Sequence, residues 1–171
     1  MKILDTSVVI LFLHDIDGKG YFTLLSQNNH HLHIPVSVYD EVLDSSQIHE
    51  LDTLISRNVI IKLACNDPAE EKALRTRFPG LGNGEINVLC WGLKLKRSGA
   101  RFFCVIDEKL GRSAATKLDL PVTGSIGLIK ILKDDKLLNK EQLTRIVEDI
   151  RKSPFRVNEA VLRSLTDEQA H

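Results

Sequence analysis

Four carboxylates stand where a short apolar run stops or a helical segment starts: Asp5, Glu41, Glu85 and Asp107. Glu108 lies directly beside the last. An α/β sheet can gather such separated acids into one pocket at the carboxyl ends of its strands. A pocket of this kind repels itself unless something positive fills it. The economical filler is a divalent cation with hard oxygen ligands, Mg²⁺ or Mn²⁺. The chemistry this points to is metal-assisted cleavage of a phosphodiester.

The elements that must position these acids alternate along the chain. Lys2 to Leu4, Leu32 to Pro35, Val59 to Ala64, Phe102 to Ile106 and Pro121 to Thr123 read as short strands. Between them, helical periodicity predicts helices over Val8 to Leu13, Tyr21 to Ser26, Val38 to Leu43 and Ile48 to Ile55. Others start at Asp67, Glu85, Leu110 and Ile126. Residues His14 to Gly20 read as a loop. Ser37 is expected to cap the helix that carries Glu41 in its early turns. Asp67-Pro68-Ala69-Glu70 reads as an N-cap, a first-turn proline and a capping box. Asn139 with Gln142 reads as a second box, and Asn158 as the cap of a last helix through Leu165. This alternation predicts a parallel sheet covered by helices on both faces.

Each acid has a plain structural explanation. Asp5 and Asp107 are good N-caps, and Glu41 and Glu85 suit the first turn of a helix. Together, at one edge of a sheet, they are harder to explain that way. Asp5 is the most telling, because a buried strand end has little reason to carry an unpartnered charge.

Taken in order, these segments resemble the PIN-domain nucleases. The resemblance rests on Ile3-Leu4-Asp5-Thr6-Ser7, Val38-Tyr39-Asp40-Glu41-Val42, Gly82-Asn83-Gly84-Glu85, and Val105-Ile106-Asp107-Glu108 with Arg112 and Ala115 behind it. Val122 to Gly127 is similar to the family's final strand and Gly-Thr turn, with Ser125 keeping the hydroxyl. The tail from Ile150 to Leu165 resembles the extra C-terminal helices of a small prokaryotic branch. The resemblance implies an α/β/α sandwich with a central parallel sheet, a catalytic domain over 1–135 and a helical extension of it over 136–171. It implies Asp5, Glu41, Glu85 and Asp107 as catalytic, metal-binding acids, with Glu108 as a further ligand. Thr6 and Ser125 would be supporting hydroxyls. It further implies a metal-dependent endoribonuclease, the toxin of a toxin–antitoxin pair, working as a homodimer and silenced by a small protein partner.

Arg112, about a turn and a half beyond Asp107, is the expected phosphate contact. His30, His31 and His33 lack a Cys or acid at ligand spacing and read as a polar loop entering a strand. Gly80 to Gly84 lacks the P-loop pattern. Cys65, Cys90 and Cys104 read as buried reduced thiols.

The 23 basic and 23 acidic residues of the 171-residue chain cancel, so no global field draws in RNA and binding must rest on local patches. Asp5 interrupts the early apolar run, no signal-peptide cleavage site follows, and no stretch spans a membrane. A cytoplasmic protein is expected. Two other readings remain open. One is a non-enzymatic Mg²⁺-binding signalling module, which leaves Glu85 unexplained. The other is a structure-selective DNA nuclease, for which a chain of this length has little room. The apolar faces at Val8 to Leu13 and Ile48 to Ile55 suit either a core or a dimer surface.

Overall fold

The structure is a computed structural model and describes residues 1–43 and 45–166. Five strands, β1 (Lys2–Leu4), β2 (Leu32–Pro35), β3 (Ile60–Leu63), β4 (Phe103–Val105) and β5 (Val122–Thr123), form one parallel sheet in the order β3-β2-β1-β4-β5. The chain builds outward from β1 to β3, then returns to the other side of β1. The switch point therefore lies between β1 and β4, where Ile3 pairs with Cys104 and Leu4 with Val105. Ligands bind at such points, beyond the carboxyl ends of the strands. Asp5 follows β1 directly, its N–H donating to Val105 O at 3.0 Å, and Asp107 stands two residues past β4.

The pleat sorts the core into two. Leu4, Leu32, Ile34, Ile60 and Val105 point into one face, and Ile3, Cys104 and Ile106 into the other. The first face is covered by α1 (Thr6–Ile10), α2 (Lys19–Gln27), α4 (Ile48–Ser56), α8 (Ser125–Asp134), α9 (Lys140–Lys152) and α10 (Glu159–Thr166). The second is covered by α5 (Pro68–Arg77), α6 (Asn83–Arg97) and α7 (Lys109–Lys117). α3 (Val36–Leu43) adds Val38 and Val42 to the first core and runs beside α6. This is the expected three-layer α/β/α sandwich. Leu143, Ile146, Leu162 and Leu165 of the last two helices join the same core as β1. Each such side chain contributes about 1.5–3 kcal/mol on burial.

Several local expectations are corrected. The first helix begins at Thr6, and from Leu11 to Asp15 it widens into a π-helical turn, closed by Ile16 N–H on Leu11 O at 3.1 Å. Leu11, Phe12 and Leu13 are all buried, so no one-sided stripe marks where the winding changes. His14 and Asp15 belong to that turn and Lys19 and Gly20 to α2, so the expected loop shrinks to three residues. α3 starts at Val36, directly after β2; Ser37 is not its cap, and its hydroxyl is buried without a partner. Glu41 is in the second half of α3, not its first turn. Asp67 does cap α5, accepting from Ala69 N–H at 2.9 Å. Glu70 closes no box there; its carboxylate takes a two-pronged bond from Arg97 at 2.6 and 3.3 Å. The Asn139–Gln142 box forms in both directions, at 2.9 and 2.8 Å. Cys65 is exposed, while Cys90 and Cys104 are buried; all three are free.

The two apolar faces proposed as core or dimer surface are core: Val8, Val9, Phe12, Leu51 and Leu54 are buried. Among the described residues, no helix is long and apolar enough to cross a membrane.

Candidate active site

Asp5 is 3% exposed, at the mouth of the switch point. It occupies the N-cap position of α1, yet its side chain makes no capping bond. Ser7 Oγ donates to Asp5 Oδ2 at 3.1 Å. Burial pushes the carboxyl up to about 7, against the opposing pull of the Thr6 amide, and the charges of Glu85 and Glu41 add to the rise. Capping therefore does not account for this acid, which is held near charged neighbours of the same sign.

Glu41 reaches across from α3 to the start of α6. Its Oε1 accepts from Gly84 N–H at 2.8 Å, and its Oε2 accepts a very short bond from the Thr6 hydroxyl. The carboxylate thus serves the amino end of a helix other than its own. Gly84 is where Asp5 and Glu41 meet. A Cβ at that position would lie 2.7 Å from Thr6 Oγ1, 2.8 Å from Asp5 Oδ1 and 3.0 Å from Glu41 Oε2. Only a residue without a side chain lets α1, α3 and α6 bring these oxygens around one point.

Glu85 sits in the first turn of α6, as its sequence suggested, and its Oε2 accepts from Gly82 N–H at 2.9 Å. That bond explains one oxygen. The other, Oε1, is buried without a hydrogen-bond partner. Gly111 of α7 crowds it so closely that a Cβ there would overlap it, and the Gly111 amide favours its charge without closing a well-formed bond. Burial raises the Glu85 carboxyl, and the charges of Glu108 and Glu41 raise it further.

Asp107 is not a cap either. The N-cap of α7 is Glu108, and the Asp107 oxygens turn instead to the start of α8. Ser125 N–H donates to Oδ1 at 2.8 Å and Ser125 Oγ to Oδ2 at 2.5 Å. Burial raises this carboxyl; Ser125 and the Arg112 guanidinium pull it back, and Glu108 pushes it up. Arg112 donates to Ile106 O at 3.1 Å and lines a pocket of about 260 Å³ with Asp107 and Gly124. Glu108 is exposed and touches the site through its charge.

All of the acids the sequence singled out therefore lie at the carboxyl edge of the sheet. The charges of Glu85 and Glu41 act on Asp5, that of Glu41 also on Glu85, and that of Glu108 on both Glu85 and Asp107. The glycines went unread: Gly84, Gly111 and Gly124 each let a carboxylate approach backbone. The Gly82-Asn83-Gly84-Glu85 run was their visible trace. Ser7 had no assigned role.

The donor set suits a hard divalent cation. It is all carboxylate oxygen, one member is almost fully buried with a strongly raised pKa, and one buried oxygen has no partner. Each of these costs is removed by a bound cation. Among the described residues, no three His, Cys, Asp or Glu side chains already close on a single point at ligand spacing. Both oxygens of Glu41 are occupied by Thr6 and Gly84.

A family model described as a PIN domain matches residues 1–170. No curated protein matches the chain. The match spans almost the whole sequence, and the chain belongs to the PIN-domain family, whose members are in general metal-dependent nucleases.

Proposed function

We propose that this PIN-domain chain is an Mg²⁺- or Mn²⁺-dependent endoribonuclease in which Asp5, Glu41, Glu85 and Asp107 form the catalytic, metal-binding set. The observation that carries this reading is the convergence of Asp5, Thr6 and Glu41 around Gly84, with the partnerless Glu85 oxygen on the same helix. Asp5, Glu41, Glu85 and Asp107 would hold the cation, with Glu108 as a further ligand. A bound divalent cation supplies polarisation of the scissile phosphate and a water acidic enough to react near neutral pH.

The chain's own groups do the positioning. Thr6 and Gly84 fix the Glu41 carboxylate. Ser125 fixes Asp107 in two bonds, and Ser7 steadies Asp5. Glu41 or Glu108, less committed as ligands, would orient the attacking water. Arg112 places a donor beside Asp107 for a phosphate oxygen. No Ser, Cys or His nucleophile is required.

RNA as the substrate, a role as the toxin of a toxin–antitoxin pair, a homodimeric state, a small silencing partner and a cytoplasmic setting belong to the same proposal. The resemblance of the C-terminal helices to the small prokaryotic branch supports them. Incubating the protein with matched single-stranded RNA, duplex RNA and single-stranded DNA, in Mg²⁺, Mn²⁺ or EDTA, tests the substrate class. RNA fragments that form with metal and not with EDTA support the reading. Cleavage of DNA alone would replace it with a DNA nuclease, and metal-independent cleavage would end it.

A further inference from the structure

The sequence between α9 and α10 carries a basic residue whose position the fold controls closely. Ser153 is buried and closes α9, its N–H reaching Asp149 O at 3.0 Å and its hydroxyl Ile150 O at 2.9 Å. The same hydroxyl accepts from Phe155 N–H at 3.1 Å, which sets the chain direction out of the helix. Phe155 and Val157 are half-buried and pack on the main core. Arg156, between them, is exposed. The alternation pins the backbone on both sides of Arg156.

Arg156 lines the same pocket of about 260 Å³ as Arg112 and Asp107. Arg112 acts on Asp107 through its charge, but neither guanidinium is closed by an ion pair among the described residues. Arg112 bonds one backbone carbonyl, Ile106 O at 3.1 Å, and Arg156 another, Ser153 O at 3.3 Å. Neither has a carboxylate partner among the described residues. Other arginines of the last two helices do: Arg151 and Arg163 pair with Glu159, and Arg145 with Asp149. A guanidinium has five N–H donors, so most of the donors in this pocket are left for a ligand. Planar, permanently charged forks of this kind suit phosphate oxygens.

Resting on the nuclease reading above, we infer that Arg156 joins Arg112 as a second phosphate anchor. The C-terminal helices thereby build the stretch of the RNA track just beyond Asp107. The ligand of this pocket is the sugar–phosphate backbone of the substrate, next to the phosphate that is cut. The contact is to backbone, so it adds affinity without base preference. It also gives a chain of zero net charge a local basic patch at the one place it needs it.

Steady-state cleavage of a mixed-sequence single-stranded RNA in Mg²⁺ or Mn²⁺, over a range of KCl, tests this. The proteins are wild type, Arg156→Ala, Arg156→Lys and, as a distant control, Arg101→Ala. Arg156→Ala should raise KM roughly three- to tenfold for every sequence, with kcat little changed, because it removes binding common to ground and transition states. The slope of log kcat/KM against log salt should become shallower by about 0.7, one single-strand phosphate contact. Arg156→Lys should restore the slope and part of KM, since the charge returns without the fork. Thermal melts of each variant separate these effects from misfolding. If wild type cleaves RNA and Arg156→Ala matches it in KM and salt slope, the anchor is wrong and the nuclease reading stands. A fall in kcat alone also overturns the anchor. If wild type cleaves no RNA in any metal, the ribonuclease reading falls and takes the anchor with it.

Discussion

Ser125 grips both oxygens of Asp107, one through its N–H at 2.8 Å and the other through its hydroxyl at 2.5 Å. The serine is fully buried, so water cannot take over the hydroxyl's role. Ser125→Ala should cost about 1.5–3 kcal/mol in a urea melt, the range for a bond to a charged group. Because Asp107 loses its orientation, metal affinity or cleavage should fall about 10–100-fold, and Ser125→Thr should recover most of both. A Ser125→Ala protein with unaltered cleavage would show that Asp107 needs no such support.

Gly84→Ala separates helix propensity from the site. In an ordinary helix the change gains about 1 kcal/mol. Here the added methyl would press on Asp5, Thr6 and Glu41 at once. The helical circular-dichroism signal should persist while Mn²⁺ affinity, read by calorimetric titration, drops. Affinity equal to wild type would mean that these oxygens do not share a ligand.

The raised acids set a pH dependence. Asp5 is pushed up to about 7 from 3.8, chiefly by burial, and Glu85 and Asp107 are raised in the same direction. Through that window the folded chain holds protons that the unfolded chain has released. Their stabilising effect is complete below the unfolded value and is lost as pH rises through the folded one. The Tm of metal-free protein should therefore decline from about pH 4 to about pH 7, and Asp5→Asn should flatten the decline. Metal needs the ionised carboxylates, so Mn²⁺ should raise Tm more at about pH 8 than at about pH 5. A Mn²⁺ effect independent of pH would contradict raised carboxyls as ligands.

Much of this arrangement could be read in advance, and the exceptions have physical causes. The strands were visible because Ile3-Leu4 and Cys104-Val105-Ile106 are buried on both faces and read as short apolar runs. The π-turn over Leu11 to Asp15 was hidden because Leu11, Phe12 and Leu13 are buried in succession and exposed His14 follows at once, leaving no helical period to interpret. Ser37 misled because a hydroxyl before a helical run looks like a cap, whereas here the helix grows straight out of β2. The acids of the site were legible as charged residues at strand and helix ends. The roles of Gly84, Gly111 and Gly124 were not, since they depend on which side chains approach from elsewhere in the chain. Arg156 was silent for a similar reason: the pocket it shares with Asp107 is built from segments far apart in sequence.

The central claim is that buried Asp5 and the less buried acids around it at the switch point form one metal-dependent cleavage centre. Its most direct measurement is the rate of RNA cleavage in Mn²⁺ by wild type, Asp5→Asn and Asp107→Asn, each checked for folding. Wild type should cleave only with metal, and each variant, though folded, should lose at least about 100-fold, the scale of a lost metal-centre function. Undiminished cleavage by folded Asp5→Asn would contradict the account, because the most deeply buried acid would then have no part in the chemistry.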